Sequence, residues 1–271
     1  LILWIVAGLA TILILLWIWM SIEAFGYRVR EESVSSSRIP EGFDGLHILF
    51  ISDIHRRKLS MASMSDSLAR ADLVLIGGDL TEKGVPLSRV EHNLKILSSH
   101  SQAYAVLGNH DLNAGAVKVK ELLRSAGVRL LKDETLVLEK GGDHIALTGY
   151  MQPKTRKHPF SNYKGKAKND SYHIVLVHDP IWIKGRAKLG CDLILSGHTH
   201  GGQIVLPLLG AIRLEPFYYQ KYDSGWFDLY RSRRSNEVIK LLISRGFGTS
   251  HIPIRLCCPS EYHLITLTRT P

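Results

Sequence analysis

Leu1 to Met20 carry neither a charged residue nor a proline. Twenty helical residues rising about 1.5 Å each cover roughly 30 Å, the thickness of a bilayer core. Trp4 lies towards one end and Trp17 and Trp19 towards the other, where interfacial aromatics belong. This pattern predicts a single transmembrane anchor over residues 1–22. A cleaved signal peptide competes with it, but the apolar region is long for one, and Ser21-Ile22-Glu23-Ala24-Phe25 offers no small-x-small cleavage site. From Arg28 to Gly45 the chain turns polar, rich in Ser and Glu and closed by Pro40, Gly42 and Gly45. Residues 23–45 are therefore expected to form a linker.

The pattern changes at Leu46. Short apolar runs follow at Leu46–Ile51, Leu73–Ile76, Tyr104–Leu107, His144–Leu147, His173–Val177 and Leu193–Leu195. Each is too short for a helix and rich in Val, Ile and Leu, as buried strands are. Between them, Pro86–Leu97 and Ala114–Ala126 space their apolar residues as helices do. Strands alternating with helices predict an α/β domain over residues 46–271. Beyond Gly202 shorter β-like pieces, Trp226–Tyr230, Val238–Ile243 and His263–Leu267, predict a second, partly antiparallel sheet.

Composition narrows the partners. Of 271 residues, 45% are hydrophobic, enough for a sizeable core. The formal net charge of +9 favours an acidic partner: a phosphorylated substrate, an anionic lipid or nucleic acid. Arg28, Arg30 and Arg38 follow the anchor, and no Lys or Arg precedes it here, so the positive-inside rule places the domain in the cytoplasm. The three cysteines lack C-x-x-C spacing, which speaks against a disulfide framework and a thiolate zinc site.

Candidate chemistry lies just beyond the apolar runs. They end in Ser52-Asp53-Ile54-His55, Gly77-Gly78-Asp79, Gly108-Asn109-His110-Asp111, His178-Asp179-Pro180 and Ser196-Gly197-His198-Thr199-His200-Gly201-Gly202. In open α/β sheets ligands bind in the crevice beyond the strand C-termini, so these residues are expected to converge. In Asp53-x-His55 and His198-x-His200, alternation along extended backbone puts both side chains on one face. Mixed oxygen and imidazole donors suit divalent transition metals better than calcium. Each motif alone is weak or moderate; all of them in order, each after an apolar run, form a specific combination.

On these residues the chain resembles the calcineurin-like metallophosphoesterase superfamily from Leu46 to Leu267. Gly-His-Thr-His-Gly-Gly-Gln through Gln203, and Gly246-Phe247-Gly248-Thr249-Ser250 with Pro253-Ile254-Arg255, are similar to its bacterial membrane-associated branch. That branch is similar to enzymes acting on a nucleotide–lipid pyrophosphate. The resemblance implies a four-layer α-β-β-α sandwich of two mixed sheets, with two divalent ions in the crevice: manganese first, then iron, zinc or magnesium. Asp53, His55 and His200 would hold the first ion. Asp79 would bridge both, and Asn109, His178 and His198 would complete the second. His110 would lie just outside, near the phosphoryl oxygens or the leaving group. Asp111 would either orient His110 or cap a helix.

Two such ions lower the pKa of a shared water, so that hydroxide attacks phosphorus in line with the leaving group. A phosphodiester or pyrophosphate bond in a lipid-linked or envelope-precursor substrate is the expected target. A nuclease or nucleotide phosphodiesterase is the alternative, supported by charge but not by an aromatic binding platform. A non-catalytic scaffold would be expected to lose ligands, and none is lost. One departure concerns the rim: Arg56-Arg57-Lys58 follows the D-x-H at once, where family members usually carry a glycine soon after. The basic stretch 154–168 either touches anionic lipid or is a solvated loop, and His251 is the histidine outside the motifs most worth testing.

Overall fold

The computed structural model describes residues 1–153, 171–184, 190–212, 221–230, 238–250 and 252–271. The basic stretch 154–168 and His251 lie outside the described residues. Helix α1 (Ile2–Phe25) is long and apolar enough to cross a membrane, and of its side chains only Ala24 is buried. Strand β1 (Arg28–Ser36) follows almost at once.

The first sheet adds β2 (His47–Ile51), β3 (Leu73–Ile76), β4 (Gln102–Ala105), β5 (Arg129–Leu130) and β14 (Glu261–Arg269), in the order β1-β14-β2-β3-β4-β5. Strands β2 to β5 are parallel neighbours, and β14 runs antiparallel to β2. Burial on both faces explains their unbroken apolar runs. Leu49, Ile51, Val74 and Ile76 face helices α2 (Met61–Arg70), α3 (Leu87–Leu97) and α4 (Asn109–Ser125), while Ile48, Phe50, Leu73 and Leu75 face the second sheet. The helices answer with apolar residues three or four apart: Met64 and Leu68, Val90, Leu94 and Leu97, Val119 and Leu123.

The second sheet comprises β6 (Glu134–Lys140), β7 (Asp143–Tyr150), β8 (Tyr172–Val177), β9 (Leu193–Ser196), β12 (Gly225–Tyr230) and β13 (Val238–Ile243), in the order β12-β13-β9-β8-β7-β6. A two-stranded ribbon of β10 (Val205–Leu206) and β11 (Gly210–Ala211) stands apart. Ile174, Leu176, Leu193 and Leu195 point at the first sheet, while Val175, Val177 and Ile194 pack on the outer face with Trp182 and Tyr150. Two mixed sheets are thus packed face to face around one shared apolar layer, as the resemblance implies, but His263–Leu267, expected in the second sheet, lies in β14 of the first, antiparallel to β2.

The expected linker is corrected as well. Within 23–45, where the sequence reads a linker, β1 pairs with β14 in parallel from Arg28 opposite Glu261 to Ser36 opposite Arg269. An edge strand draws its hydrogen bonds from one neighbour and exposes most of its side chains, so only Val34 need be buried. Hydropathy cannot distinguish such a strand from a tether. Helix α4 also starts earlier than the apolar spacing indicates, at Asn109, running through a kink at Gly115.

Candidate metal centre

Every candidate ligand sits just past a strand C-terminus, but the backbone through Asp53-x-His55 and His198-x-His200 is not the extended one expected. Asp53, His55, Asp79, His198 and His200 all adopt positive φ, between 50° and 74°. L-residues visit this left-handed region at a cost on the order of 1–3 kcal/mol each, and such conformations persist only where surroundings over-determine them. Here they do. The Asp53 and His55 amides donate to the Gly78 and Asp79 carbonyls at 2.9 and 3.1 Å, and the His198 amide donates to both Asp53 oxygens at 3.1 Å. Gly78, at φ +88°, is packed so closely that a Cβ would lie 2.7 Å from Gly108 N and 2.8 Å from His178 Nδ1. No other residue fits there.

The imidazoles face one another across short gaps. His55 Nε2 lies 3.1 Å from His200 Nε2, and His178 Nε2 lies 3.2 Å from His198 Nδ1. The far nitrogens set the tautomers. His178 Nδ1 is 2.8 Å from the Gly77 carbonyl and must donate to it, so Nε2, 3.2 Å from Asp79 Oδ2, is the nitrogen whose proton an ion would displace. His198 Nε2 faces Asp179 Oδ2 at 3.6 Å, and His55 Nδ1 faces Glu82 Oε2 at 3.2 Å. The inward nitrogens of each pair stand so close that an ion between them would replace the protons they hold. Asp79 Oδ2 lies between the two, 3.2 Å from His178 Nε2 and 3.8 Å from His55 Nε2, while Asp79 Oδ1 accepts the His110 amide at 2.8 Å. His200 Nε2 is 3.5 Å from Asp53 Oδ1. The enclosed Oδ1 of Asn109 accepts no hydrogen bond. Ligand atoms group within 4.8 Å as Asp53, His55 and His200; as His55, Asp79 and His110; and as Asp79, His178 and His198.

Burial and mutual charge set the protonation of these groups. Burial alone would raise the Asp79 carboxyl, but His178, His55 and His110 around it hold it well below the carboxylate range. Burial would lower His178, yet Asp79 and Asp53 push it up to about 10. Burial, with His55 and Arg255 adding to it, keeps His200 well below its ordinary value and therefore neutral. His110 is likewise lowered by burial. Without an ion, the cluster neutralises its carboxylates with protons on imidazole; a divalent cation would replace those protons.

The fold brings together Asp53, His55, Asp79, Asn109, His110, His178, His198 and His200. Asp111 takes a different part from orienting His110. Its oxygens accept the Thr81 and Gly108 amides, each at 3.0 Å, so this fully buried carboxylate caps the start of α4 and locks two loops. Burial and the neighbouring Asp79 push it up to about 7. Sequence reasoning missed Glu82, which faces His55 and also pairs with Arg56. It assigned no role to Arg255, one of the largest fully buried side chains among the described residues. The Arg255 guanidinium donates to the carbonyls of Arg245 and Gly248 at 2.6 Å and Cys258 at 3.0 Å, and it lies 3.5 Å from the His200 carbonyl. A lone arginine amid Gly, Pro and Cys, with no acid nearby in sequence, was the available signal.

These donors fit a dinuclear site: mixed carboxylate, amide and imidazole, with donor atoms converging and one carboxylate between two clusters. Comparison with known proteins agrees. Residues 46–202 match the family model for calcineurin-like phosphoesterases. The chain is 32% identical over 230 residues to YpbG, an uncharacterised protein of Bacillus subtilis, covering 84% of this chain and 83% of that one. It is 32% identical over 233 residues to the phosphodiesterase YaeI of Escherichia coli, covering 81% of each. A Danio rerio transmembrane protein with a metallophosphoesterase domain is 30% identical over 264 residues, 89% of this chain and 57% of that one. Among solved structures, a 5'-nucleotidase precursor from Thermus thermophilus shares the fold at TM-score 0.50 and 15% identity, covering 82% of this chain but only 54% of that one.

Proposed function

The chain belongs to the calcineurin-like phosphoesterases, a family of phosphoric ester hydrolases, and from that premise we propose that it cleaves phosphodiester or pyrophosphate bonds at two divalent cations, on a lipid-linked substrate at a bilayer surface. The position of Asp79 carries this reading. One buried carboxylate lies within 4 Å of imidazoles from both clusters, His55 on one side and His178 on the other. In this proposal Asp53, His55 and His200 would hold one ion and Asn109, His178 and His198 the other, with Asp79 able to serve either. Manganese is the proposed ion, since thiolate is missing from the donor set.

Bound there, divalent cations supply Lewis acidity towards a phosphoryl oxygen and lower the pKa of water. The protein does the positioning. Glu82, 3.2 Å from His55 Nδ1, and Asp179, 3.6 Å from His198 Nε2, place a carboxylate behind each ring and would favour the tautomer that turns its other nitrogen inwards. His110 stands edge-on to His55, ring centroids 4.8 Å apart, with its backbone tied to Asp79. As a neutral imidazole it donates N–H to a phosphoryl oxygen or the departing alkoxide, a contribution of about 10²–10⁴-fold. Two observations support the bilayer setting. The length and apolarity of α1 suit a membrane span, and Arg255, whose guanidinium lies at the His200 carbonyl, donates its backbone amide to the Met20 carbonyl of α1 at 3.0 Å.

The test uses the full chain in maltoside micelles, stripped of metal, reloaded with Mn²⁺ and assayed on bis-p-nitrophenyl phosphate and on the monoester. Activity should return with metal and favour the diester. Asp79→Asn should abolish it, and His110→Ala should keep metal but turn over more slowly. Metal-independent hydrolysis, or full activity in Asp79→Asn, would sink the proposal.

A further inference from the structure

The end of α1 does not hang free of the domain. Arg57, two residues beyond His55, donates from Nη1 to the carbonyls of Ala24 at 3.2 Å and Gly26 at 2.8 Å, and from Nη2 to that of Phe25 at 2.8 Å. The same Nη1 reaches the Phe247 carbonyl at 3.0 Å, and the guanidinium lies 4.2 Å above the Phe247 ring. Ser260 Oγ adds a bond to the Ala24 carbonyl at 3.4 Å. One cation thus neutralises the negative end of the helix and fixes it to the loop that covers Asp53, where the Gly248 amide donates to the Asp53 carbonyl at 2.6 Å.

Beside this joint lies a cleft of ≈ 290 Å³ between Ala24 and Phe25 of α1, the Arg56–Lys58 loop, and Thr249 and Pro253. Its walls are of two kinds. Phe25 and Pro253 continue the exposed apolar flank of α1, on which Ile18 and Ile22 also lie open, and the buried Ala24 forms the floor between them. Across from them stand three consecutive cations. Arg56 has Glu82 as its carboxylate, and Arg57 spends its hydrogen bonds on carbonyls. Lys58 is exposed, and among the described residues no carboxylate pairs with it. Arg89, which donates to the Arg56 carbonyl at 2.7 Å, adds further positive charge behind the loop. A helix of spanning length ends at this level, so the cleft opens where hydrocarbon gives way to headgroups.

We propose that this cleft binds the headgroup of an anionic phospholipid, its phosphate against Lys58 and Arg56 and its acyl chains along Ile18, Ile22 and Phe25 of α1. The loop that would hold the phosphate begins directly after His55, so lipid binding and the metal centre share one stretch of chain. The proposal rests on α1 spanning a bilayer, as the proposed function does, but not on the hydrolytic chemistry.

The test uses the full chain, manganese-loaded, in maltoside micelles doped with equal amounts of phosphatidylglycerol and phosphatidylcholine of matched chains, read by native mass spectrometry. One phosphatidylglycerol should be retained in preference to phosphatidylcholine. Lys58→Gln should reduce that preference about fivefold, the usual weight of one basic residue at an anionic membrane surface. Lys58→Arg should preserve it, and Thr249→Trp, which fills the cleft, should expel both lipids. Equal retention of the two lipids, or a preference untouched by both Lys58→Gln and Thr249→Trp, overturns the proposal. So does retention of orthophosphate, with the same dependence on Lys58, in lipid-free micelles. Hydrolysis of bis-p-nitrophenyl phosphate by the same preparation separates the two readings: activity without lipid retention removes the cleft alone, and retention without activity removes the hydrolase alone. Release of the chain from membranes by alkaline carbonate removes the lipid site and the bilayer setting together.

Discussion

Gly108 offers a clean steric test of the metal centre. Its backbone, at φ −94° and ψ 179°, suits alanine as well as glycine, so Gly108→Ala changes space and little else. The added Cβ would lie 2.6 Å from Asp79 Cγ and 2.7 Å from Asp79 N, and closer still to Asp79 Oδ1. Ordinary carbon contacts lie at about 3.5–4.0 Å, so side chain and backbone must retreat by about 1 Å. That movement breaks the 2.8 Å bond from the His110 amide and shifts the carboxylate that faces both His55 and His178. Overpacking of this kind costs about 1–3 kcal/mol, and a 1 Å misplacement at a reacting centre costs about 10²-fold in rate. Thermal unfolding should drop by roughly 2–4 °C per kcal/mol lost. Manganese titration by calorimetry should show weakened binding, and diester turnover should fall by about 10²-fold. Gly190→Ala is the control, since a Cβ there meets nothing within 4 Å. Wild-type metal affinity and turnover in Gly108→Ala would refute the idea that Asp79 must stay where it is.

Three further outcomes are expected. Glu82→Gln should weaken metal binding by about 10–100-fold through His55, the usual effect of losing an orienting carboxylate, and calorimetry with Mn²⁺ would read it. His178 is raised to about 10 without metal, so its contribution to the stability of the metal-free protein is complete below its ordinary value of 6.5 and is lost as pH rises through about 10. Metal must displace that proton, so affinity should rise over the same window with proton release measurable in buffers of different ionisation enthalpy; a pH-independent affinity would contradict this. Arg255→Met should destabilise the protein on the order of 3 kcal/mol by stranding the Arg245, Gly248 and Cys258 carbonyls, seen as a lower urea midpoint, and a midpoint unchanged within error would count against it.

The doubly buried strands were plain in the sequence because each presents an unbroken apolar run, and the polar residues that follow each run mark where the crevice lies. Asp53, Asp79, Asn109, His178 and His198 are readable for that reason. Strand β1 was not, since its single buried side chain, Val34, gives no period to detect. Helix α2 escaped similarly, its inward face being only Met64, Ser67 and Leu68. Glu82 and Arg255 depend on long-range partners: Arg255 lies 55 positions from His200, and no local spacing links them. Asp111 follows His110 directly, yet adjacency on a helix sends side chains in different directions, and its carboxylate turns back to the Gly108 amide instead.

The ligand loops come from both halves of the sandwich: Asp53, His55 and Asp79 from one sheet, His178, His198 and His200 from the other. Any ion seated between His55 and His200 is therefore a rivet through two plates, resisting slippage of one against the other. Chelation should loosen the whole body rather than a single loop, with proteases gaining access at the seam between the sheets first.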